Sequence, residues 1–394
     1  MSDPSRALRL AIIAGEASGD ALGVSLVRAL RSRGVDLSLS GVGGAALERE
    51  GLASFFPQSD IAVMGVAAVV QRLPLILRRI NETAKRIVAD KPDILLTIDS
   101  PDFCLRVTRK VRAAAPGVPI AHWVCPSVWA WRPGRARRMA PHVDRVFCLL
   151  PFEPAALTQL RGPRGVYVGH PLIERIPELR PQSDAERAAR ADADAPEILL
   201  LPGSRRSEAS RLMTGFREAA VLLSREFPRA RFVLPAVEHL RSSIESEVRA
   251  WPVPVGVVAG EQAKLAAFRR ARAALAASGT VTLELALAGV PTAAVYRVAE
   301  WEAVIARRLL RVSSVLLPNL VLGRNVMPEL LQGDFTPAAC LGALAPLIAE
   351  TPARRAQLDA FDEIAARMRG DGASPSAHVA DQIMDMLAQT KTPR

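Results

Sequence analysis

The 394-residue sequence contains few cysteines and few aromatic side chains. Its four cysteines lie far apart and form no C-x-x-C pair, so the sequence predicts neither a zinc site nor a disulfide framework, and it favours a reducing cytoplasm. We therefore expect no metal and no other cofactor. Aromatic residues make up 5% of the chain and are not interleaved with basic residues, so the stacking surface that single-stranded nucleic acid needs is missing.

Long apolar runs are also missing. The longest one, at 61–70, is roughly half of what a bilayer-spanning helix needs, which argues against a transmembrane segment. The apolar segment at 10–14 is too short for the core of a signal peptide, and we interpret it as part of a first strand.

Lysine is scarce too, since only five of the 51 basic residues are lysines, yet the net charge is +11. Such a charge implies an anionic partner, for which nucleic acid, acidic lipid headgroups and a phosphorylated small molecule compete. With 49% hydrophobic residues at this length, we expect two domains rather than one core.

Predicted strands and helices alternate along most of the chain. Strand, glycine turn and helix follow one another from the start, and the order restarts at 197–208 after a polar, alanine-rich stretch, 176–196, that is typical of a linker with a surface helix. The alternation predicts an α/β fold with two doubly wound, Rossmann-like domains at 1–172 and 190–365. A helical tail at 366–394 is expected to pack on the N-terminal half or on a partner chain.

Two acids, Asp99 and Asp102, follow the predicted strand in the stretch L-L-T-I-D-S-P-D-F. In open α/β sheets ligands bind at the carboxyl ends of the strands, and Pro101 turns the chain outward at this point. Asp102 suits the N-cap of the next helix, but capping explains only one of the two acids. We therefore interpret the pair as containing a general base.

A glycine turn at 15–20 follows the first predicted strand and carries Glu16 and Ser18. Glycines allow close backbone approach, and the helix that follows offers free N–H groups to an anion or a sugar hydroxyl. The alternative is a tight turn in which Ser18 or Asp20 caps the helix. The spacing does not match a dinucleotide-binding fingerprint.

Two further glycine turns lie in the second half. At 201–208, backbone N–H groups and Arg205 form a predicted pyrophosphate cradle, since a bare turn does not need a cation at a helix N-terminus. At 277–284, Ser278 and Thr280 suit a phosphate and Glu284 suits ribose hydroxyls, with a capping box between Thr280 and Glu284 as the alternative. Together these turns predict that this half binds a nucleoside diphosphate.

Two segments, 122–146 and 301–325, combine tryptophan with arginine. Basic amphipathic helices with tryptophan are typical of membrane-interface elements, and the alternative is an arginine-rich solvated face over a packed core. We interpret His122 and His170 as structural residues.

Several of these stretches resemble the lipid A disaccharide synthases, inverting glycosyltransferases with the two-domain GT-B architecture. The resemblance runs in order from about residue 9 to residue 335 and rests on AGEASGD, KPDILLTIDSPDF, HWVCPSVWAWRPGRARRM, LLLPGSRRSE, ASGTVTLELAL and SSVLLPNLVLGRNVMPELLQ. SVWAWR and LPNLVLGR are specific to that family, whereas the Gly-Ser-Arg and Ser-Gly-Thr turns occur across GT-B enzymes.

The resemblance implies two Rossmann-like domains that face each other across a substrate cleft. The implied reaction is transfer of 2,3-diacylglucosamine from UDP-2,3-diacylglucosamine to the 6-hydroxyl of 2,3-diacylglucosamine 1-phosphate, which gives a β-1,6-linked disaccharide and UDP. Asp102 is the first candidate for the base and Asp99 the second, and no metal is required. The implied substrate-binding residues are Glu16 and Ser18 on the acceptor side and, on the UDP side, Gly203, Ser204, Arg205, Ser278, Gly279, Thr280, Glu284 and Asn319, with Tyr296 and Arg297 as additional contacts.

The resemblance also implies a peripheral enzyme on the cytoplasmic face of the inner membrane, because both substrates carry phosphate and acyl chains. A homodimer that exchanges C-terminal segments is implied as well. Two other interpretations remain open: another GT-B enzyme, such as a UDP-N-acetylglucosamine transferase or epimerase, and a non-enzymatic anion-binding protein.

Overall fold

The computed structural model describes residues 7–62, 66–299, 312, 314–369 and 374–391. These residues form two compact units. The first unit contains the described residues up to His170 together with the last helix of the chain, and the second begins at Pro171 and contains the described residues up to Arg369. The tryptophan-bearing part of the predicted membrane segment, from Trp301 to Arg311, lies outside the described residues.

The first unit is built on a parallel sheet. Its described strands pair in the order β3-β2-β1-β4-β5-β6-β7, so that the neighbours of β1 are β2 on one side and β4 on the other. The strands are β1 (Leu8–Ala14), β2 (Leu37–Val42), β3 (Ala53–Ser54), β4 (Ile94–Ile98), β5 (Ile120–Trp123), β6 (Arg145–Cys148) and β7 (Arg164–Tyr167).

Helices cover both faces of this sheet. β1 and β4 are apolar except for Arg9 and Thr97, because a parallel strand between two helical layers is buried on both faces. The helices are α1 (Ala17–Arg31), α2 (Ala45–Arg49), α3 (Val66–Asp90), α4 (Pro101–Ala114), α5 (Gly134–Met139) and α6 (Glu153–Gln159).

The second unit repeats the architecture. Its described strands are parallel and pair in the order β10-β9-β8-β11-β12-β13. The strands are β8 (Glu197–Leu201), β9 (Arg231–Ala236), β10 (Val255–Ala259), β11 (Ala273–Ala277), β12 (Thr292–Tyr296) and β13 (Glu329–Leu331). The helices are α7 (Ile176–Leu179), α8 (Asp184–Ala191), α9 (Arg206–Glu226), α10 (Arg241–Val248), α11 (Glu261–Arg270), α12 (Thr280–Ala288), α13 (Leu317–Leu322), α14 (Pro337–Ile348) and α15 (Pro352–Arg369).

Two doubly wound parallel sheets confirm the predicted α/β fold class. The predicted surface helix within 176–196 is present as α8, but the rest of the stretch is not a free linker. It also holds α7, which packs against α11 and α12, while α8 packs against α11. Besides the buried Ile176 and Leu179, an arginine docks this stretch: Arg190 donates to the carbonyl oxygens of Ala288 and Phe268, both at 2.6 Å. A pattern search for apolar residues cannot detect such docking.

The last helix, α16 (Pro375–Lys391), returns to the first unit and packs against α1. Val379 and Ile383 are fully buried in the same cluster as Leu26 of α1. Arg33 also forms an ion pair with Asp381 at 2.6 Å. The C-terminal segment therefore completes one apolar face of the first sheet within the same chain.

Candidate active site

A cavity of about 640 Å³ opens at the carboxyl ends of β8, β9, β10 and β11. It lies where the order of the second sheet reverses, between β8 and β11, which is the position at which open α/β sheets bind ligands. The structure brings seven of the predicted residues together in its lining: Gly203, Ser204, Arg205, Ser278, Gly279, Thr280 and Glu284.

The Gly203 turn forms one wall of this cavity. Gly203 has φ +107°, a backbone conformation that favours glycine, and a Cβ at this position would lie 2.3 Å from Oε2 of Glu208, so the Glu208 side chain would have to move to make room for one. The Glu208 side chain lies against this turn, near the backbone N–H groups of Ser204 and Arg205. Burial raises the pKa of Glu208, while the Arg205 charge and these two N–H groups oppose the rise. A carboxylate thus occupies the place where N–H groups at the start of α9 suit an anion.

The opposite wall is the turn that follows β11. Gly279 takes the N-cap position of α12 and no side chain caps the helix, so the capping-box alternative for Thr280 and Glu284 is wrong. Glu284 instead accepts from Nζ of Lys264 at 2.9 Å. Lys264 is also 3.1 Å from Glu261, which places a cation between two carboxylates in the cavity wall.

Three predicted contacts lie outside this lining. The Arg297 side chain donates to the carbonyl oxygens of Gln332 and Phe335, at 3.2 and 3.0 Å, and Tyr296 ends β12. Asn319 is 2% exposed. Its amide donates to the carbonyl oxygen of Met327 and accepts from the Met327 backbone N–H, at 3.0 and 2.9 Å. These contacts hold loops of the second unit in place.

The remaining predicted site residues follow the neighbouring strands β1 and β4 of the first sheet, where the strand order reverses. Glu16 and Ser18 are exposed at the end of β1. After β4, Asp99 and Ser100 have φ values of 52° and 43°, two consecutive non-glycine residues in the left-handed region. Such strain is concentrated at functional sites. The Ser100 side chain fills the space where a Cβ on Gly15 would stand, so the two turns pack together.

Asp102 does not cap its helix. Ser100 holds the N-cap position of α4, and Asp102 lies in the first turn, with its side chain 72% exposed. Arg135 of α5 donates to Oδ1 of Asp102 at 2.5 Å. Oδ2 has no hydrogen-bond partner within the described part of the chain, and Asp102 lines a groove between α4 and α5. The capping interpretation is therefore wrong, and one carboxylate oxygen is open to a ligand.

The structure also brings together groups that the sequence left apart. Cys125, Cys148 and Glu153 place one ligand atom each within 4.8 Å of one another. Glu153 already accepts hydrogen bonds from the backbone N–H groups of Leu149 and Leu150 and from the Trp129 indole, at 3.0, 3.0 and 3.1 Å. The pKa of the Cys125 thiol is raised by its hydrogen bond to Cys148 and by burial. A Cys125 thiol held in its protonated form and a carboxylate that already accepts three hydrogen bonds do not suit a metal ion.

Several solved structures share this fold. The structure of UDP-GlcNAc 2-epimerase from Neisseria meningitidis bound to UDP-GlcNAc superposes with a TM-score of 0.59 and 11% identity, covering 97% of this chain and 100% of that one. Acinetobacter baumannii MurG superposes with a TM-score of 0.57 and 15% identity, covering 96% and 100%. The protein therefore has the GT-B fold.

Sequence relatives narrow this class to one family. A family model described as Lipid-A-disaccharide synthetase matches residues 10–383. The Lipid-A-disaccharide synthase of Nitrobacter winogradskyi is 50% identical over 391 residues, covering 99% of this chain and 98% of its own. That of Rhodopseudomonas palustris strain HaA2 is 50% identical over 380 residues, covering 96% of each. The chain belongs to the lipid-A-disaccharide synthase family and is a glycosyltransferase of lipid A biosynthesis, which confirms the resemblance.

No helix in the described part of the chain is long and apolar enough to cross a membrane.

Proposed function

We propose that this protein forms the β-1,6-linked tetraacyl disaccharide 1-phosphate by transferring 2,3-diacylglucosamine from UDP to the 6-hydroxyl of 2,3-diacylglucosamine 1-phosphate with inversion. The observation that carries the assignment of the donor site is the 640 Å³ cavity, whose two glycine turns and Glu284 come together at the switch point of the second sheet. The UDP-GlcNAc bound by the Neisseria epimerase of the same fold supports a UDP-sugar in this unit.

In the proposed UDP site, the diphosphate lies against the N-terminus of α9. Backbone N–H groups of the Gly203 turn and the Arg205 guanidinium stabilise the negative charge that UDP gains as it leaves. Ser278 and Thr280 contact the phosphates from the opposite turn, and Glu284 accepts from ribose hydroxyls.

Asp102 is the proposed base, with Asp99 as the second candidate. The acceptor oxygen O6 attacks the anomeric carbon of the donor from the face opposite UDP while Oδ2 of Asp102 takes its proton, and UDP leaves with the electrons of the broken C–O bond. Arg135 positions the Asp102 carboxylate through Oδ1. Glu16 and Ser18 bind the acceptor sugar in this proposal. Release of UDP from the two synthetic substrates tests it, and turnover of acceptors without acyl chains favours another GT-B activity.

Arg205→Ala is expected to weaken UDP binding by about 10-fold to 100-fold, since a charge-assisted hydrogen bond contributes about 1.5–3 kcal/mol. Arg206→Ala is the matched control, because Arg206 is also exposed at the start of α9 and does not line the cavity. Isothermal titration with UDP measures both variants. Equal affinities for Arg205→Ala and the wild type contradict the cradle.

Glu208→Gln is expected to strengthen UDP binding by about tenfold. The Glu208 carboxylate lies in the cavity lining beside the N–H groups that the diphosphate needs, and a like charge at this range costs on the order of 1 kcal/mol or more. The wild-type carboxyl is charged above its raised pKa, so its UDP affinity falls as the pH rises through that pKa, whereas the variant lacks this slope. Titrations between pH 5 and 8 measure the difference, and weaker binding by the variant contradicts the competition.

The protein is also proposed to bind the cytoplasmic face of the inner membrane peripherally. Leu73 and Leu77 on α3 are 41% and 43% exposed, one turn apart and beside exposed Arg72 and Arg78, and Trp131 is 39% exposed. Apolar side chains beside arginines suit an anionic bilayer surface. Sedimentation with phosphatidylglycerol vesicles tests this proposal.

A homodimer remains a further proposal, which analytical ultracentrifugation tests.

A further inference from the structure

A groove of about 880 Å³ lies between α4 and α5 in the first unit. Its polar lining is dominated by arginines, and we call it the arginine groove: Arg106, Arg109, Arg112, Arg132, Arg135 and Arg138. Within the described chain, Asp102 is its lining carboxylate. Guanidinium groups gathered around one acid repel one another, and an anionic ligand would reduce the free-energy cost of this repulsion.

Only some of the arginines in the groove form an ion pair with a carboxylate. Arg135 pairs with Asp102 at 2.5 Å, and Arg112 pairs with Asp144, outside the lining, at the same distance. Arg106, Arg109 and Arg138 form no ion pair with any carboxylate of the described residues. Three guanidinium groups thus share one cavity with no counter-charge of their own.

The excess of positive charge lowers the pKa values of neighbouring groups. The pKa of His142 in the groove is lowered by burial and further by the charges of Arg109 and Arg112. Burial also lowers the pKa of Arg135, and Arg132 and Arg138 lower it further, although the Asp102 charge opposes them. An anion that enters the groove relieves this repulsion.

The spacing along α4 fits one sugar ring. Asp102, Arg106 and Arg109 are separated by four and then three residues, so they lie on one face of the helix, about 6 Å and 10 Å apart along its axis from Asp102. In the acceptor of the proposed reaction, the C1 phosphate and the C6 that bears the reacting hydroxyl are attached to C1 and C5, the two carbons that flank the oxygen of a single pyranose ring. A hydroxyl at Asp102 therefore places the phosphate near Arg106 and Arg109.

We propose that the arginine groove binds the C1 phosphate monoester of the acceptor, with Arg106, Arg109 and Arg138 as its ligands. This inference rests on the proposed function and adds a phosphate subsite to it. Guanidinium groups suit the site because their planar N–H pairs match phosphate oxygens in a bidentate arrangement. A phospholipid headgroup offers related chemistry, but the groove begins at the proposed base, where the acceptor sugar has to lie.

The test compares two acceptors in detergent micelles free of anionic lipid: 2,3-diacylglucosamine 1-phosphate and its 1-O-methyl analogue. Arg106→Ala, Arg109→Ala and Arg138→Ala are each expected to raise KM for the phosphorylated acceptor by about tenfold or more and to leave the KM of the analogue and of the UDP donor unchanged. Lysine in place of each arginine is expected to restore part of the affinity. Inorganic phosphate at millimolar concentration is expected to inhibit the wild type more strongly than the variants.

Arg137→Ala is the matched control, because Arg137 lies on α5 between Arg135 and Arg138, is exposed, and does not line the groove. It removes the same charge and is expected to leave both KM values unchanged. Equal losses with the two acceptors, or losses with Arg137→Ala as large as with Arg138→Ala, overturn the phosphate subsite. Unchanged KM together with weaker sedimentation on phosphatidylglycerol vesicles assigns the groove to lipid headgroups and also overturns it. If the wild type releases no UDP from these substrates, the proposed function itself is contradicted. That outcome differs from a change in the variants alone.

Discussion

Asp102→Asn is expected to lower kcat by about 10²-fold to 10⁴-fold, the usual contribution of a general base, while UDP affinity stays unchanged. The amide cannot take the proton of the acceptor hydroxyl, yet its oxygen still accepts from Arg135, so the local structure is kept. Because the Asp102 side chain is 72% exposed, the substitution leaves no buried group without a partner. UDP release from saturating substrates measures the effect.

Asp99→Asn is the matched control for this prediction. Asp99 sits three residues earlier in the strained turn after β4, is half-buried, and does not line the arginine groove. Its variant is expected to retain most of the turnover. A wild-type rate for Asp102→Asn combined with an inactive Asp99→Asn transfers the role of base to Asp99, and wild-type rates for both show that neither acid is the base.

Much of this arrangement could be predicted because the signals are local. Apolar runs that end in glycine turns give the strands and their carboxyl ends, and the doubly wound topology then brings ends that lie far apart in sequence to the same edge. This reasoning predicted that Gly203 and Ser278 lie in one lining, and the cavity contains both.

The missed residues depend on contacts between distant elements. Arg135 pairs with Asp102, which is 33 residues away in sequence, and Lys264 pairs with Glu284, which is 20 residues away. No motif spacing therefore predicts either pair. Glu208 ends the predicted turn at 201–208, but nothing in the sequence indicates that its side chain lies against Gly203. For Asn319 the motif suggests a contact with a ligand. In the structure its side-chain amide instead forms hydrogen bonds with the backbone of Met327.

Glu153→Ala is expected to lower the free energy of unfolding by about 3 kcal/mol or more. Glu153 is 3% exposed, and its carboxylate accepts from two backbone N–H groups and from the Trp129 indole. Each buried donor left without an acceptor costs about 1–3 kcal/mol, and water entering the new cavity recovers part of this. Urea unfolding followed by tryptophan fluorescence measures the loss.

Glu153→Gln separates the hydrogen bonds from the charge. Its amide oxygen can still accept from Leu149 and Leu150, but its NH₂ group faces the Trp129 N–H, so a loss of about 1–3 kcal/mol is expected. Burial raises the pKa of Glu153 to about 7, above its ordinary value. The folded protein therefore holds this proton more tightly than the unfolded chain, and the stabilisation that results is complete below the ordinary pKa and is lost as the pH rises through 7.

The stability difference between the wild type and Glu153→Gln should consequently be larger at pH 5 than at pH 8, by on the order of 3 kcal/mol. His122 is fully buried, and burial lowers its pKa to about 4. Its contribution to the stability of the folded protein is therefore lost as the pH falls from 6.5 toward 4, a pH dependence opposite to that of Glu153. Both proteins share that contribution, which cancels in the difference. A pH-independent difference would show that Glu153 is ionised over the whole range, and its three hydrogen bonds would then outweigh its burial.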